Sequence, residues 1–158
     1  MQIHLGKGRV ILEFFPAEAH FLSEILGRIA QNYEDADPGV FNGDGLGESG
    51  YAEEDVESWR QELREGGDDN ARLARRWMAH LRVENMDWIS WEMTPEDVGR
   101  FLLLANDHRM YLARHFQVTE KDMALELDEL EGDDRRTVLL EIHFLAHMME
   151  LLLPFAPL

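Results

Sequence analysis

The chain has 158 residues, contains no cysteine, and carries 32 acidic against 15 basic side chains, for a formal net charge of −17. This length is the usual size of one domain, so we expect a single domain over residues 1–158. The absence of cysteine excludes disulfides, thiolate metal sites and a cysteine nucleophile, and the acidic excess disfavours nucleic acid and anionic membranes as partners.

The first predicted element is a β-hairpin over about residues 2–15. Ile3 and Leu5 precede a Gly-Lys-Gly turn, and apolar residues alternate with others in the RVILEFF that follows, which is typical of a hairpin. The same stretch lacks the basic, apolar and small-residue order of a signal peptide, and no apolar run reaches the roughly 18 residues of a membrane span. We therefore expect a cytoplasmic protein with no membrane partner.

A first helix is predicted from Pro16 to near Tyr33, because apolar residues recur at helical spacing after a first-turn proline. An acidic, glycine-rich loop follows over residues 35–52. It contains a literal G-x-G-x-x-G, but no strand precedes that motif and carboxylates follow it, which argues against a phosphate site. Aligned as a calcium loop that starts at Asn42, it has leucine at the fifth position, where an oxygen ligand is required. We expect a mobile connection that binds neither phosphate nor calcium.

After this loop, an acidic helix is predicted to stop at Gly66 and Gly67. Asp69 or Asn70 then caps a further helix, the chain's only basic one, and these two helices should form an antiparallel pair. The aromatic stretch MDWISWEM, residues 86–93, suits either a third strand or an extended connection, and the sequence leaves both open.

The strongest predicted helix start is TPED at residues 94–97, which places a capping residue, a proline and two acids before a long helix to about Phe116. A shorter acidic helix is predicted over Thr119–Leu130. Asp133 or Asp134 then caps a final helix that is apolar almost all round and so belongs in the core. The elements together predict a mainly α fold, a bundle of about five to six helices with an N-terminal β-hairpin.

The long helix carries a cation in an unexpected place. At 100° per residue, its apolar residues gather on one side: Phe101, Leu102, Ala105, Leu112, Ala113 and Phe116. Arg109 lies in the middle of that side, with Asn106 at its edge. A buried guanidinium keeps its charge and needs a carboxylate or carbonyl oxygens, and candidates are Glu141 on the final helix and Glu13 on the hairpin. We therefore predict a polar cluster of Asn106, Arg109 and Glu141, either an internal ion pair or an anion-binding site.

The final helix carries a second polar group. His143, His147 and Glu150 are spaced i, i+4, i+7 and project from one narrow face, as zinc ligands on a helix can. The segment HFLAH lacks the glutamate that supplies the general base of zincins. The alternative is the polar edge of a largely buried helix. We expect that edge, with no metal and no other cofactor.

The central helix, with TPED before it and LLLANDHRMYLARHFQV within it, resembles DUF2017, a family of uncharacterised bacterial proteins. The match consists of the acidic helix start, the ND-x-R segment at Asn106, Asp107 and Arg109, and the order of hairpin, helices and apolar final helix. The resemblance implies a fold and no defined activity. Because some members' genes lie near the gene for an adaptor of an ATP-dependent protease, it also implies a loose link to protein turnover.

These features predict a non-enzymatic interaction or regulatory module that binds a protein partner or forms a homodimer. No serine nucleophile motif is present. The apolar C-terminal segment LLLPFAPL and two tryptophans expected to be exposed, Trp88 and Trp91, are the candidate homodimer surfaces. The alternative function is a small metal-dependent hydrolase that uses His143, His147 and Glu150.

Overall fold

The computed structural model describes residues 1–35, 53–82, 86–130 and 132–157. Within them the chain forms five α-helices and an N-terminal antiparallel hairpin, which confirms the predicted mainly α fold class. The strands are β1 Gln2–Gly6, β2 Arg9–Phe14 and β3 Ile89–Met93. The helices are α1 Pro16–Asp35, α2 Glu53–Leu81, α3 Pro95–His115, α4 Glu120–Ala124 and α5 Asp133–Leu152, and 3-10 turns occur at Leu127–Glu129 and Leu153–Phe155.

The hairpin is closed by a two-residue turn in which both residues have positive φ. Lys7 has φ +50° and Gly8 has φ +76°, the combination of a type I′ turn, whose twist matches that of the flanking strands. The third strand extends the sheet in the order β1-β2-β3. The segment that the sequence left open is therefore a strand at Ile89–Met93, with its odd-numbered residues buried in alternation.

The chain divides into two compact units. One comprises Phe14–Ser90, and the other comprises Met1–Glu13 with Trp91–Leu158. The prediction of a single domain stays a prediction.

In the unit Phe14–Ser90, α1 and α2 pack against each other in antiparallel orientation. Glu34, near the end of α1, meets Arg75, whereas Ser23, earlier in α1, meets Arg82 just beyond the end of α2. Gly27 lies between these contacts and admits the Met78 sulfur, which would be 3.3 Å from a Cβ at that position. Apolar residues of both helices form the core: Leu22, Ile25, Leu26, Ile29, Leu73, Ala74, Trp77 and Leu81.

The predicted break in α2 at Gly66 and Gly67 is wrong. The helix runs without interruption from Glu53 to Leu81, and neither glycine adopts positive φ. A glycine in a helix costs about 1 kcal/mol relative to alanine but does not by itself end the helix. The predicted antiparallel pair within residues 53–81 is therefore one helix, and α1 is its antiparallel neighbour. Asp69 does not cap a helix but pairs with Arg72 on the α2 surface at 2.7 Å.

In the other unit, α3 and α5 are the long helices that pack together. The predicted start of α3 is confirmed, because Thr94 and Asp97 form a reciprocal capping box and Pro95 occupies the first turn. Its end is a Schellman-type cap, in which Gln117 has φ +51° and the Val118 N–H donates to the Ala113 carbonyl at 2.9 Å.

The C-terminal half of this unit differs from the prediction in two details. The predicted helix over residues 119–130 is shorter, consisting of α4 followed by a 3-10 turn. The N-cap of α5 is Gly132 and not an aspartate, so the N-cap residue supplies no side-chain cap hydrogen bond. Gly132 has φ +89°, a conformation that glycine adopts without strain.

The final helix buries one side only. Val138, Leu139, Ile142, Leu145 and Met148 are buried, whereas other positions, His143 and His147 among them, are exposed. By length and composition alone, the segment Asp133–Phe155 is apolar enough to cross a membrane, with 39% of its most apolar window buried inside the protein. A core helix meets the same criterion.

The predicted acidic loop over residues 35–52 lies outside the described residues, except for Asp35, which ends α1. The same holds for the glycine motif within that loop.

Candidate functional site

The structure gives Glu141 a different partner from the one the sequence suggested. In the unit that contains α3 and α5, Glu141 Oε1 lies 2.5 Å from Nε2 of His108, and the two residues are only 3% and 2% exposed. The buried Glu141 carboxylate and the buried His108 ring therefore form a hydrogen bond between α5 and α3, as buried polar groups generally do. The other ring nitrogen of His108, Nδ1, is buried and has no hydrogen-bond partner within the described residues.

Arg109 is partly buried, as the helical face predicted, but it meets no carboxylate among the described residues. Its Nη1 donates to the Met149 sulfur at 3.7 Å, and its buried Nε has no partner there. Asn106, the third member of the predicted cluster, is exposed. The structure thus brings Glu141 to His108 and Arg109 to Met149, and anion binding at Arg109 stays a prediction.

The three candidate metal ligands of the final helix are all exposed: His143, His147 and Glu150. Within the described part of the chain, no three side chains of histidine, aspartate or glutamate are placed to hold a metal ion. The metal-dependent hydrolase stays a prediction that gains no support from this geometry.

The two expected homodimer surfaces differ in exposure. Trp91, expected to be exposed, is 4% exposed and packs edge-on against Phe101 at 5.8 Å, so that expectation is wrong. The C-terminal segment lies against α3, where a Cβ on Gly99 would be 3.2 Å from Pro157 Cγ. Leu153 is 66% exposed. Self-association through this segment stays a prediction.

The unit Phe14–Ser90 contains an open cleft of about 300 Å³ at the start of α1 and the end of α2. Its apolar wall consists of Pro16, Leu81 and Ile89, and its polar wall consists of His20, Ser23, Glu24 and Arg82. This volume is at the lower end of the range of about 300–1,000 Å³ that is usual for ligand sites.

The polar wall of the cleft is organised by one contact. The Nε of Arg82 donates to the Ser23 hydroxyl at 3.2 Å, and Ser23 is 1% exposed. One donor of the guanidinium is thereby fixed on α1, while the side chain as a whole remains exposed. The contact holds the planar group at the cleft through one of its five donors, and the terminal N–H groups have no hydrogen-bond partner among the described residues.

Two aromatic rings on residues that neighbour the cleft residues in the chain form a surface that we call the aromatic shelf, consisting of Phe15 and Trp88. Their ring centroids are 4.3 Å apart and their planes are tilted by 30°. Each ring directly precedes a cleft residue in the chain, Phe15 before Pro16 and Trp88 before Ile89. The rings remain 51% and 40% exposed, respectively.

The backbone fixes the position of Phe15. Its N–H donates to Glu18 Oε2 at 2.9 Å, and its carbonyl accepts from the Ala19 N–H at 3.0 Å. The Phe15 backbone is therefore fixed immediately before the first turn of α1.

The arginines of α2 differ in their pairing. Arg75 forms a two-pronged contact with Glu34, with both nitrogen to oxygen distances at 2.7 Å. The hydrogen bond from Arg75 lowers the pKa of Glu34, and the same bond raises the pKa of Arg75. Arg72 pairs with Asp69. Arg82 forms no ion pair within residues 1–35, 53–82, 86–130 and 132–157, which distinguishes it from both.

The sequence did not predict the cleft. Two signals were present: Trp88 next to a buried strand residue, and a run over residues 70–82 with four arginines and no acid in a strongly acidic chain. Neither signal could show that Ser23, far away in the sequence, would hold Arg82. That contact depends on the register of α1 against α2.

Comparisons of the chain with protein-family models, with curated proteins and with solved structures found no match. The resemblance to DUF2017 therefore stays a prediction.

Proposed function

We propose that this chain is a non-enzymatic, cytoplasmic interaction module that docks a partner protein on the aromatic shelf and the adjoining cleft. One observation carries the proposal: the ring centroids of Phe15 and Trp88 lie 4.3 Å apart while each ring remains at least 40% exposed. The resemblance to DUF2017 belongs to the same proposal, because it implies a fold without a competing activity.

The aromatic shelf has the properties of a binding anchor. Aromatic side chains dominate the energetics of many protein interfaces, and their rings lose few rotamers when they are bound. Here the two rings already stack on each other, and the Phe15 backbone is fixed by Glu18 and Ala19. The two rings therefore lose little conformational freedom when a partner binds, and this preorganisation favours affinity.

The polar groups of the cleft support binding better than catalysis. Ser23 and His20 both line it, but the Ser23 hydroxyl is bonded to Arg82. A guanidinium remains protonated and cannot accept the proton of a serine nucleophile. The contact therefore orients the arginine and does not activate the serine.

A peptide library selected against the whole protein tests the proposal. The selected peptides are titrated into the isotopically labelled protein, and we expect backbone and indole signals of Phe15 and Trp88 to shift most. Trp88→Ala should weaken binding of the same peptides by about thirtyfold, the effect of removing a typical interface anchor. Leu153→Ala, a truncation of another exposed apolar residue, is the control and should change affinity less than twofold.

Two results would overturn the proposal. In the first, the selected peptides shift signals in the Met1–Glu13 and Trp91–Leu158 unit and leave the aromatic shelf unaffected. Alternatively, Trp88→Ala and Leu153→Ala would have equal effects on affinity. Thermal melts of both variants verify that any loss of binding is not a loss of folding.

A further inference from the structure

We infer that the cleft beside the aromatic shelf recognises the C-terminal carboxylate of the partner protein, with an apolar last residue. This inference rests on the proposed interaction function and specifies the chemistry of the partner. The Arg82 guanidinium is the group that binds the carboxylate, and the apolar wall of the cleft receives the side chain of the same terminal residue.

The Arg82 guanidinium is held at the cleft by one hydrogen bond. Its Nε is bonded to the buried Ser23 hydroxyl at 3.2 Å, which orients the guanidinium plane at the cleft. No carboxylate in the described part of the chain pairs with it, although Glu24 lines the same cleft. The Nη groups are thus presented as a planar fork, the geometry that binds a carboxylate through two parallel hydrogen bonds.

The charge of the sequence leading to Arg82 is opposite in sign to that of the whole chain. The whole chain carries a formal charge of −17, but residues 70–82 contain four arginines and no aspartate or glutamate. Two of these arginines are already paired, Arg72 with Asp69 and Arg75 with Glu34. The end of α2 therefore presents Arg82 as a local positive charge to an anionic group that enters the cleft.

The cleft combines a polar wall with an apolar wall. Leu81 and Ile89, which line the cleft with Pro16, are 2% and 4% exposed, so they form a firm apolar wall next to Arg82. A C-terminal residue carries its carboxylate and its side chain on one Cα atom and can use both walls at once. Its backbone N–H is a donor, and Glu24 in the same cleft is an acceptor for it. The small volume also suits a chain end better than a continuous segment.

The test uses three acetylated pentapeptides and one acetylated hexapeptide with a common Ser-Gly-Ser-Gly start. The first ends in leucine with a free carboxylate, the second in leucine amide, and the third in serine with a free carboxylate. The fourth carries an aspartate side chain before a leucine amide. Affinities are measured by calorimetry, and the bound position is mapped from chemical-shift changes at the Trp88 indole and the Arg82 Nε–H.

We expect the leucine free acid to bind about tenfold more tightly than each of the other three peptides, a difference typical of a hydrogen-bonded charge or a buried leucine. Arg82→Gln should remove most of the advantage of the free acid over the amide. Arg76→Gln is the matched control, because Arg76 is exposed on α2, which ends one residue before Arg82, and its replacement changes the net charge equally. It should leave the advantage within twofold.

The outcomes separate this inference from the proposed function. Equal binding of acid and amide at Trp88 would overturn carboxylate recognition and leave the interaction function standing. Equal binding of the aspartate peptide would replace the chain terminus by an acidic side chain and overturn the inference in that form. Equal losses in Arg82→Gln and Arg76→Gln would assign the effect to net charge and overturn it too. If none of the peptides binds and the library selection also fails, the proposed function itself falls.

Discussion

His108 and Glu141 satisfy each other in the interior between α3 and α5, where the two residues are 2% and 3% exposed. Removing one partner of a buried pair that carries charge typically costs about 3–5 kcal/mol, because the other group stays buried and loses this hydrogen bond. We expect His108→Ala and Glu141→Ala each to lower the free energy of unfolding by about that amount. Urea denaturation followed by circular dichroism measures both.

The double variant and a surface control make this prediction specific. Because the two side chains are in contact, the loss in the double variant should be smaller than the sum of the single losses by about 0.5–3 kcal/mol. His143→Ala, on the exposed side of α5, should change stability by no more than about 0.5 kcal/mol. Additive losses would show that the pair does not act as a unit.

The sequence predicted that a polar group would be buried on α3, but it selected the neighbouring residue. The predicted face shares Phe101, Ala105 and Leu112 with the observed buried one, but it also included Leu102, Ala113 and Phe116. The observed face has Val98, Leu104 and His108 in their place. The three consecutive leucines at 102–104 support more than one helical face. Only packing against α5 decides between them, and it places His108 inward.

Asp122 provides a pH-dependent contact on the same unit. The Thr119 backbone N–H donates to its carboxylate at 2.8 Å, and Arg135 donates to it at 2.6 Å. The backbone hydrogen bond, followed by that from Arg135, lowers the pKa of Asp122 from 3.8 to about 2. A lowered pKa in the folded state means that this stabilisation is present above about pH 4 and is lost as the pH falls toward 2.

We therefore expect Asp122→Asn to lower the melting temperature at neutral pH and to have progressively less effect between about pH 4 and pH 2. Melting temperatures of the parent and the variant over pH 7 to 2 provide the comparison. Asp87→Asn, at an exposed aspartate, is the control and should show no comparable pH-dependent difference. A difference between the parent and Asp122→Asn that stays constant down to pH 2 would contradict the assignment.

At the scale of elements, the continuity of α2 is directly testable at its glycines. A Cβ on Gly66 would meet no atom within 4 Å, and one on Gly67 would lie at ordinary distances from Tyr33. Because alanine restricts the unfolded chain and suits a helix, Gly66→Ala and Gly67→Ala should each raise the free energy of unfolding by about 0.5–1 kcal/mol. Chemical denaturation measures the change.

The glycine at the start of α5 is the natural control. Gly132 has φ +89°, so Gly132→Ala should destabilise the protein, since alanine is strained in that conformation. A loss of stability in Gly66→Ala would instead indicate that the helix ends there, as the sequence had suggested.

Local signals predicted the elements whose ends are set by local chemistry. The Thr94 and Asp97 capping box, the Lys7-Gly8 turn and the first-turn Pro16 each determine an end within a few residues. Local signals failed at α2, because a glycine pair is compatible with either a helix end or a helix interior. They also left β3 open, because its pairing with β2 is formed between distant parts of the sequence.

At the scale of the whole molecule, the charges act on a partner at two distances. The formal charge of −17 is the sum over the whole chain. The four arginines within residues 70–82, by contrast, lie in the last part of α2 and just beyond its end. At about 10 mM salt the screening length is about 30 Å, and at 150 mM it is about 8 Å. At low salt, an approaching anion therefore interacts with charges over the whole chain. At physiological salt, it interacts mainly with the charges close to it.

This difference yields a prediction for the rate at which the leucine-ended free-acid peptide associates. Its carboxylate should be repelled by the whole chain at low salt and attracted by Arg82 at contact, so raising the salt from about 10 to 150 mM should increase the association rate severalfold. Stopped-flow tryptophan fluorescence measures the rate, and the leucine amide peptide, which lacks the charge, should show little change. A rate that falls with salt would mean that the arginines of α2 dominate the field at long range. The net charge of the chain would then not govern the approach of its partner, although the contact between Arg82 and the carboxylate would remain.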